Sequence, residues 1–184
     1  MLKIKCFLLV FLSMCSLSAL ANQAVIHQSE YMKDVVMLFT NGKTDSYPVF
    51  LGCRRGKLLQ NHISFTVPFD PLEEVKEEDY VGFTNVRFTE GENIYNIFTS
   101  YKIYIDTGEV AYDYELAFDK NTGKVRKGNK LFNKLQSSYF KVDELLKKSK
   151  SYTLIVSSKY GSGVVVIRSI IEKIPEYEIK CENL

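Results

Sequence analysis

From Asp34 to Phe118 the chain is a succession of short apolar stretches broken at close intervals by turn-forming residues, and that punctuation restricts it to an antiparallel β fold. His62 to Phe69 shows the pattern best. Ile63, Phe65 and Val67 fall on one side and Ser64 and Thr66 on the other, the period-two alternation of a strand with one buried face. Further strands are expected at Asp34–Thr40, closed by Asn41-Gly42, and at Pro48–Cys53, Tyr80–Thr89 and Val110–Phe118. The aromatic-rich run Ile94–Ile105 reads as one bent strand or two. Polar turns fall at Glu90–Asn93, Thr107-Gly108 and Asp119–Gly123, whereas Val125–Lys130 is basic and loose. The acidic segment Glu73–Asp79 lacks the Gly and Asn spacing of a calcium loop and is expected to be an exposed linker.

Helical signals are confined to the last third. Val142–Lys148 places acids early and lysines late, which complements a helix dipole. Ser151–Ser158 and Val164–Arg168 read as a hairpin turning at Gly161-Ser162-Gly163. Ser169-Ile170-Ile171-Glu172 fits a capping box that opens a second short helix, which Pro175 must kink or restart before Cys181. The expected fold is therefore α+β and mainly β, an antiparallel sheet or sandwich with two short helices in the C-terminal third.

The amino terminus reads as an address. Lys3 and Lys5 precede an apolar run that ends in Ala19-Leu20-Ala21, so residues 1–21 are expected to be a secretory signal peptide cleaved after Ala21. A retained membrane anchor would need about 20 apolar residues, and Ser13, Ser16 and Ser18 interrupt this one. Lipoprotein processing at Cys15 would need a small residue where Met14 stands. A polar arm, residues 22–33, then leads into one β-rich domain, residues 34–184, with no integral membrane span in the mature chain. The expected location is the periplasm, with secretion beyond it as the alternative.

Cleavage alters the charge. The full chain carries 24 Lys and Arg against 22 Asp and Glu, and the leader takes two lysines and no acid, leaving the mature chain formally neutral. Nucleic acid is therefore not an expected partner, because a neutral protein gains little from counterion release. Cleavage also removes Cys6 and Cys15. The remaining Cys53 and Cys181 are expected to form a structural disulfide in an oxidising compartment. A reactive thiol or a metal pair is the alternative, but neither cysteine has a His or Cys close by in sequence.

No catalytic constellation stands out. The mature chain has two histidines, His27 in the arm and His62 at the head of a strand, and it holds no G-x-S-x-G, H-E-x-x-H or P-loop motif. Glu109, Asp113 and Glu115 share strand parity, with Asp113 and Glu115 about 7 Å apart, a separation usable in glycoside hydrolysis. Alternation with Val110, Tyr112, Tyr114 and Leu116 makes them an outward polar stripe instead. Tyr95, Tyr101, Tyr104, Tyr112 and Tyr114 are foremost strand formers, with a recognition patch as the second reading. No cofactor-binding or metal-binding residue set is expected.

Taken in order, these elements resemble the periplasmic type VI secretion-associated TagO/VasI-like family. The resemblance rests on the strand with Val35-Val36-Met37-Leu38, the strand ending Gly52-Cys53-Arg54, Val86-Arg87-Phe88, Tyr152–Ser157, the Gly-rich hairpin, the helix from Ile170 and the terminal Cys181. It covers roughly Asp34 to Cys181, and the chain lacks the family's tryptophan. The resemblance implies a small disulfide-bridged envelope accessory protein, with Cys53 and Cys181 as the bridged pair and Arg87 as the strand arginine. Arg87 joins the tyrosines as a candidate interaction surface. The expected function is non-enzymatic binding to an envelope protein. The alternatives are a mobile-element-encoded inhibitor or exclusion factor acting on an envelope target, and a cell-wall hydrolase using Asp113 and Glu115.

Overall fold

The computed structural model describes residues 23–28, 34–40, 47–55, 59–119 and 121–184. The expected signal peptide, Cys15 and the Asn41-Gly42 turn lie outside the described residues. The elements run β1 (Ala24–Gln28), β2 (Val35–Thr40), β3 (Val49–Arg55), β4 (Leu59–Pro68), β5 (Val81–Glu90), β6 (Asn93–Tyr104), β7 (Glu109–Phe118), α1 (Lys130–Lys148), β8 (Thr153–Ser158), β9 (Gly161–Val166) and α2 (Arg168–Glu182). The strands form one nine-stranded antiparallel sheet in the order β1-β2-β3-β4-β7-β6-β5-β8-β9. Among the described residues the chain is mainly β, with two helices in its C-terminal third.

Alternation determines which face is buried. Val36, Leu38, Leu51, Ile63, Phe65, Val67, Tyr112, Tyr114, Val86, Phe88, Leu154 and Val156 all point inward and are buried. The registers align them into layers, with Ile63 opposite Tyr114, Phe65 opposite Tyr112, and Phe88 opposite Val156. Phe65, Phe88 and Tyr114 meet edge-on or tilted, with ring centroids 5.1–6.2 Å apart, the arrangement that aromatic quadrupoles favour. The sheet curls until β9 reaches the chain entering β3, where Tyr47 N–H donates to Val164 O at 3.3 Å. Nearby, Asp70 N–H donates to Tyr160 O at 2.9 Å.

The helices close the inner face, α2 against β1–β3 and α1 against β4, β6 and β7. Asn129 caps α1 by accepting from Phe132 N–H at 2.9 Å, satisfying an otherwise orphaned donor. Lys147 ties the helices together, reaching Asp143 at 2.9 Å and Glu178 of α2 at 2.7 Å. The disulfide is formed. Cys53 on β3 and Cys181 near the end of α2 are bridged, with Cα atoms 6.0 Å apart, across a sequence separation of 128.

Several expectations give way. The polar arm contains strand β1, paired to β2 from Ala24↔Thr40 to Gln28↔Val36. Of the two readings of Ile94–Ile105, the single strand holds, as Asn93–Tyr104. The first helix begins at Lys130, far ahead of Val142. The loose basic stretch is pinned instead, since Val125 bridges Phe118 and Arg126 N–H donates to Ala117 O at 2.8 Å. Gly161, Ser162 and Gly163 are strand residues and the hairpin turns at Lys159-Tyr160. Packing demands those glycines, because a Cβ on Gly161 would collide with the Pro68 carbonyl and one on Gly163 with the Tyr47 ring. Ser169 does not cap α2. The N-cap is Ile167, the Ser169 hydroxyl is buried without a partner among the described residues, and Pro175 lies inside one continuous helix. The acidic segment is exposed, apart from half-buried Val75 packing on the core.

Candidate functional site

Residues of opposite parity to the core form the outer face of the sheet, and the registers of β3, β4 and β7 assemble a polar row there. Gly52 lies opposite His62, and His62 opposite Glu115. His62 Nε2–H donates to Asp113 Oδ1 at 3.0 Å, while Nδ1 lies 3.8 Å from Glu115 Oε1. The Asp113 backbone carbonyl accepts from Thr99 and Ser100 hydroxyls at 2.8 and 3.1 Å. Phe50 folds over Gly52 and meets the imidazole edge-on, with ring centroids 5.6 Å apart.

Next to this row is a cleft of about 280 Å³, with Phe50, Gly52, His62, Glu115, Arg126 and Phe132 among its lining residues. Its size is near the lower end of small-ligand pockets. Arg54 also borders it, but its charge is engaged, Nε lying 3.2 Å from Asp34 Oδ2. Arg126 is different. Buried Gln136 of α1 accepts from Ala117 N–H at 3.2 Å and donates to Arg126 O at 2.6 Å, fixing the arginine backbone against the end of β7. The Arg126 guanidinium has no ion-pair partner among the described residues.

These contacts bear on the carboxylates singled out in the sequence. Asp113 and Glu115 do share the outer face, but the His62 ring stands between them, where a scissile bond or attacking water would have to sit. Both imidazole nitrogens face carboxylates, so neither is turned toward a hydroxyl as in a nucleophile–base pair. Among the described residues, these side chains do not converge as a metal-ligand set.

The five tyrosines do not form one surface, which corrects the recognition-patch reading. Tyr101, Tyr112 and Tyr114 are buried in the core. The Tyr101 hydroxyl donates to Asp79 O and accepts from Tyr160, both at 2.7 Å, while Tyr112 and Ser158 share a 2.6 Å hydrogen bond. Tyr95 and Tyr104 are exposed, but they occupy opposite ends and opposite faces of β6. Arg87 is exposed on β5, opposite Asn96 and Ser157 and three strands from β4, about 14 Å across the sheet. His27 is exposed on β1. The sequence reading missed Phe50, Gly52, His62, Arg126 and Gln136 as a group. Strand parity alone could have paired Gly52 with Arg54, but only the β3–β4–β7 register brings His62 to Glu115.

Comparison with protein-family models, with curated proteins and with solved structures returns no match for this chain. The site therefore has to be interpreted from its own chemistry.

Proposed function

We propose that this chain is an exported envelope accessory protein that acts by binding, and that its recognition site is the outer-face cleft holding Phe50, His62 and Arg126. The observation that carries the reading is the Cys53–Cys181 bridge, because a disulfide clamping a sheet to a terminal helix is at home in an oxidising compartment. The resemblance of the strand, cysteine and helix order to the type VI secretion-associated TagO/VasI-like family supports a place beside a secretion apparatus. The cleft supports binding, since it joins an uncommitted cation, a carboxylate and two aromatic walls on a rigid sheet face. Among the described residues no helix is long and apolar enough to cross a membrane.

Two measurements test this reading. Mass spectrometry of the native protein is expected to find Asn22 as the amino terminus and the two cysteines oxidised. An intact Met1 with free sulfhydryls would overturn it. A photo-cross-linking residue in place of Gln60, at the cleft rim, is expected to capture a secretion-apparatus component from intact envelopes. Capture of an envelope enzyme would assign the inhibitor role instead.

A further inference from the structure

The cleft carries an inference about ligand class that goes beyond the binding role proposed above. We propose that it holds a small zwitterion, an unblocked amino acid or dipeptide, with its carboxylate on Arg126, its ammonium group toward Glu115, and an apolar side chain between Phe50 and Phe132.

Four observations lead there. First, the Arg126 guanidinium is a planar, permanently charged fork suited to bidentate carboxylate recognition, and it has no anion of its own among the described residues. Its backbone is nevertheless held by three contacts: the amide on Ala117 O, the carbonyl on buried Gln136, and the adjoining Val125 bridge to Phe118. An anchored backbone under an uncommitted charge reduces the ordering cost of binding. Second, Glu115 lines the same cleft with its side chain 73% exposed. Among the described residues its one polar neighbour is the His62 ring at 3.8 Å, which leaves carboxylate lone pairs open to a cation. Third, Arg126 and Glu115 do not pair with each other, so the cleft offers separate positive and negative poles. A multiply charged anion such as a phosphate monoester would gain from Arg126 and be repelled by Glu115, whereas a zwitterion satisfies both. Fourth, the cleft volume of about 280 Å³ and the flanking Phe50 and Phe132 suit one apolar side chain and a short backbone.

The test uses the oxidised mature protein in solution, so its outcome is independent of export and of any envelope partner. The probe is the dipeptide Ala-Phe, titrated while the His62 and Phe132 ring resonances are followed by NMR. Saturable shifts at both rings are expected. Amidation of the dipeptide carboxylate is expected to weaken binding roughly tenfold or more, the value of a charge-assisted pair. Arg126→Gln should produce the same loss for Ala-Phe and leave the amide unaffected. Because the guanidinium makes no hydrogen bond or ion pair among the described residues, this variant should keep its fold, and Arg126→Lys provides a second variant that keeps the charge and loses the fork. Glu115→Gln should abolish the preference for Ala-Phe over N-acetyl-Ala-Phe. The proposal is overturned if Ala-Phe produces no saturable shift at these rings. It is equally overturned if the amide or the acetylated form binds as well as Ala-Phe, or if inorganic phosphate displaces Ala-Phe at equal concentration.

Discussion

The ring of Phe50 lies across Gly52, so close that a Cβ on the glycine would come within 2.9 Å of the ring edge. The contact atoms belong to the far end of a half-buried side chain, so the ring can yield where backbone could not. Gly52→Ala is therefore expected to cost only about 1 kcal/mol, at the low end of overpacking. It should, however, swing Phe50 off its edge-on contact with His62. The His62 ring resonances report this directly, and unchanged shifts would refute the coupling.

Replacing both Cys53 and Cys181 with alanine is expected to lower stability by about 4 kcal/mol, from the entropy a bridge spanning 128 residues removes from the unfolded chain. Denaturant unfolding of the variant against the oxidised protein measures the loss. Reducing agent should reproduce it in the parent and leave the variant unchanged.

The buried tyrosines predict alkaline unfolding. Burial pushes Tyr112 up to about 12, and it also raises Tyr101, Tyr114, Tyr139 and Tyr177 above the usual value of 10.0. Unfolded phenols ionise near 10 while the folded ones hold their protons. Stability is thus fully present below pH 10 and falls as pH rises through the folded values, by about 1.4 kcal/mol per pH unit for each buried phenol. Tyrosinate absorbance should appear together with loss of structure. Tyr114→Phe should flatten the slope and be neutral or slightly stabilising at pH 7. Its hydroxyl is buried without a hydrogen-bond partner among the described residues.

Glu90 predicts the opposite dependence in acid. The Ser149 hydroxyl, at 2.5 Å, and the Ser151 and Lys150 amides hold its carboxyl below the ordinary 4.5. The stability it contributes is present above pH 4.5 and is lost as pH falls through the depressed value. Glu90→Gln should cost under about 1 kcal/mol at pH 7, because the site is partly solvated. The gap between the two proteins should close below pH 4.5, as acid unfolding curves would show.

What could be read from the chain beforehand follows the range of the forces involved. β4 and β7 were legible because Ile63, Phe65, Val67 and Tyr112, Tyr114, Leu116 alternate cleanly with polar neighbours, and a buried face leaves that imprint locally. The first half of α1 was not, because two of its inward positions, Gln136 and Ser138, are polar and conceal the helical period. Gln136 is inward because it satisfies Ala117 N–H and Arg126 O. Gly161 and Gly163 looked like a turn, but they are small because Pro68 and Tyr47 crowd the strand from elsewhere in the sequence. The cleft itself was invisible. His62 and Glu115 meet only through the β4–β7 register, and Arg126 is placed by a helix whose start the pattern concealed.

The bond between Cys53 and Cys181 encloses every strand from β4 to β9 and the whole of α1. Because a chain is made from its amino terminus, Cys53 exists before the helix that carries its partner. The fastener therefore joins one of the earlier strands to the last element of the chain, and everything it encloses is in place in the sequence before it can close.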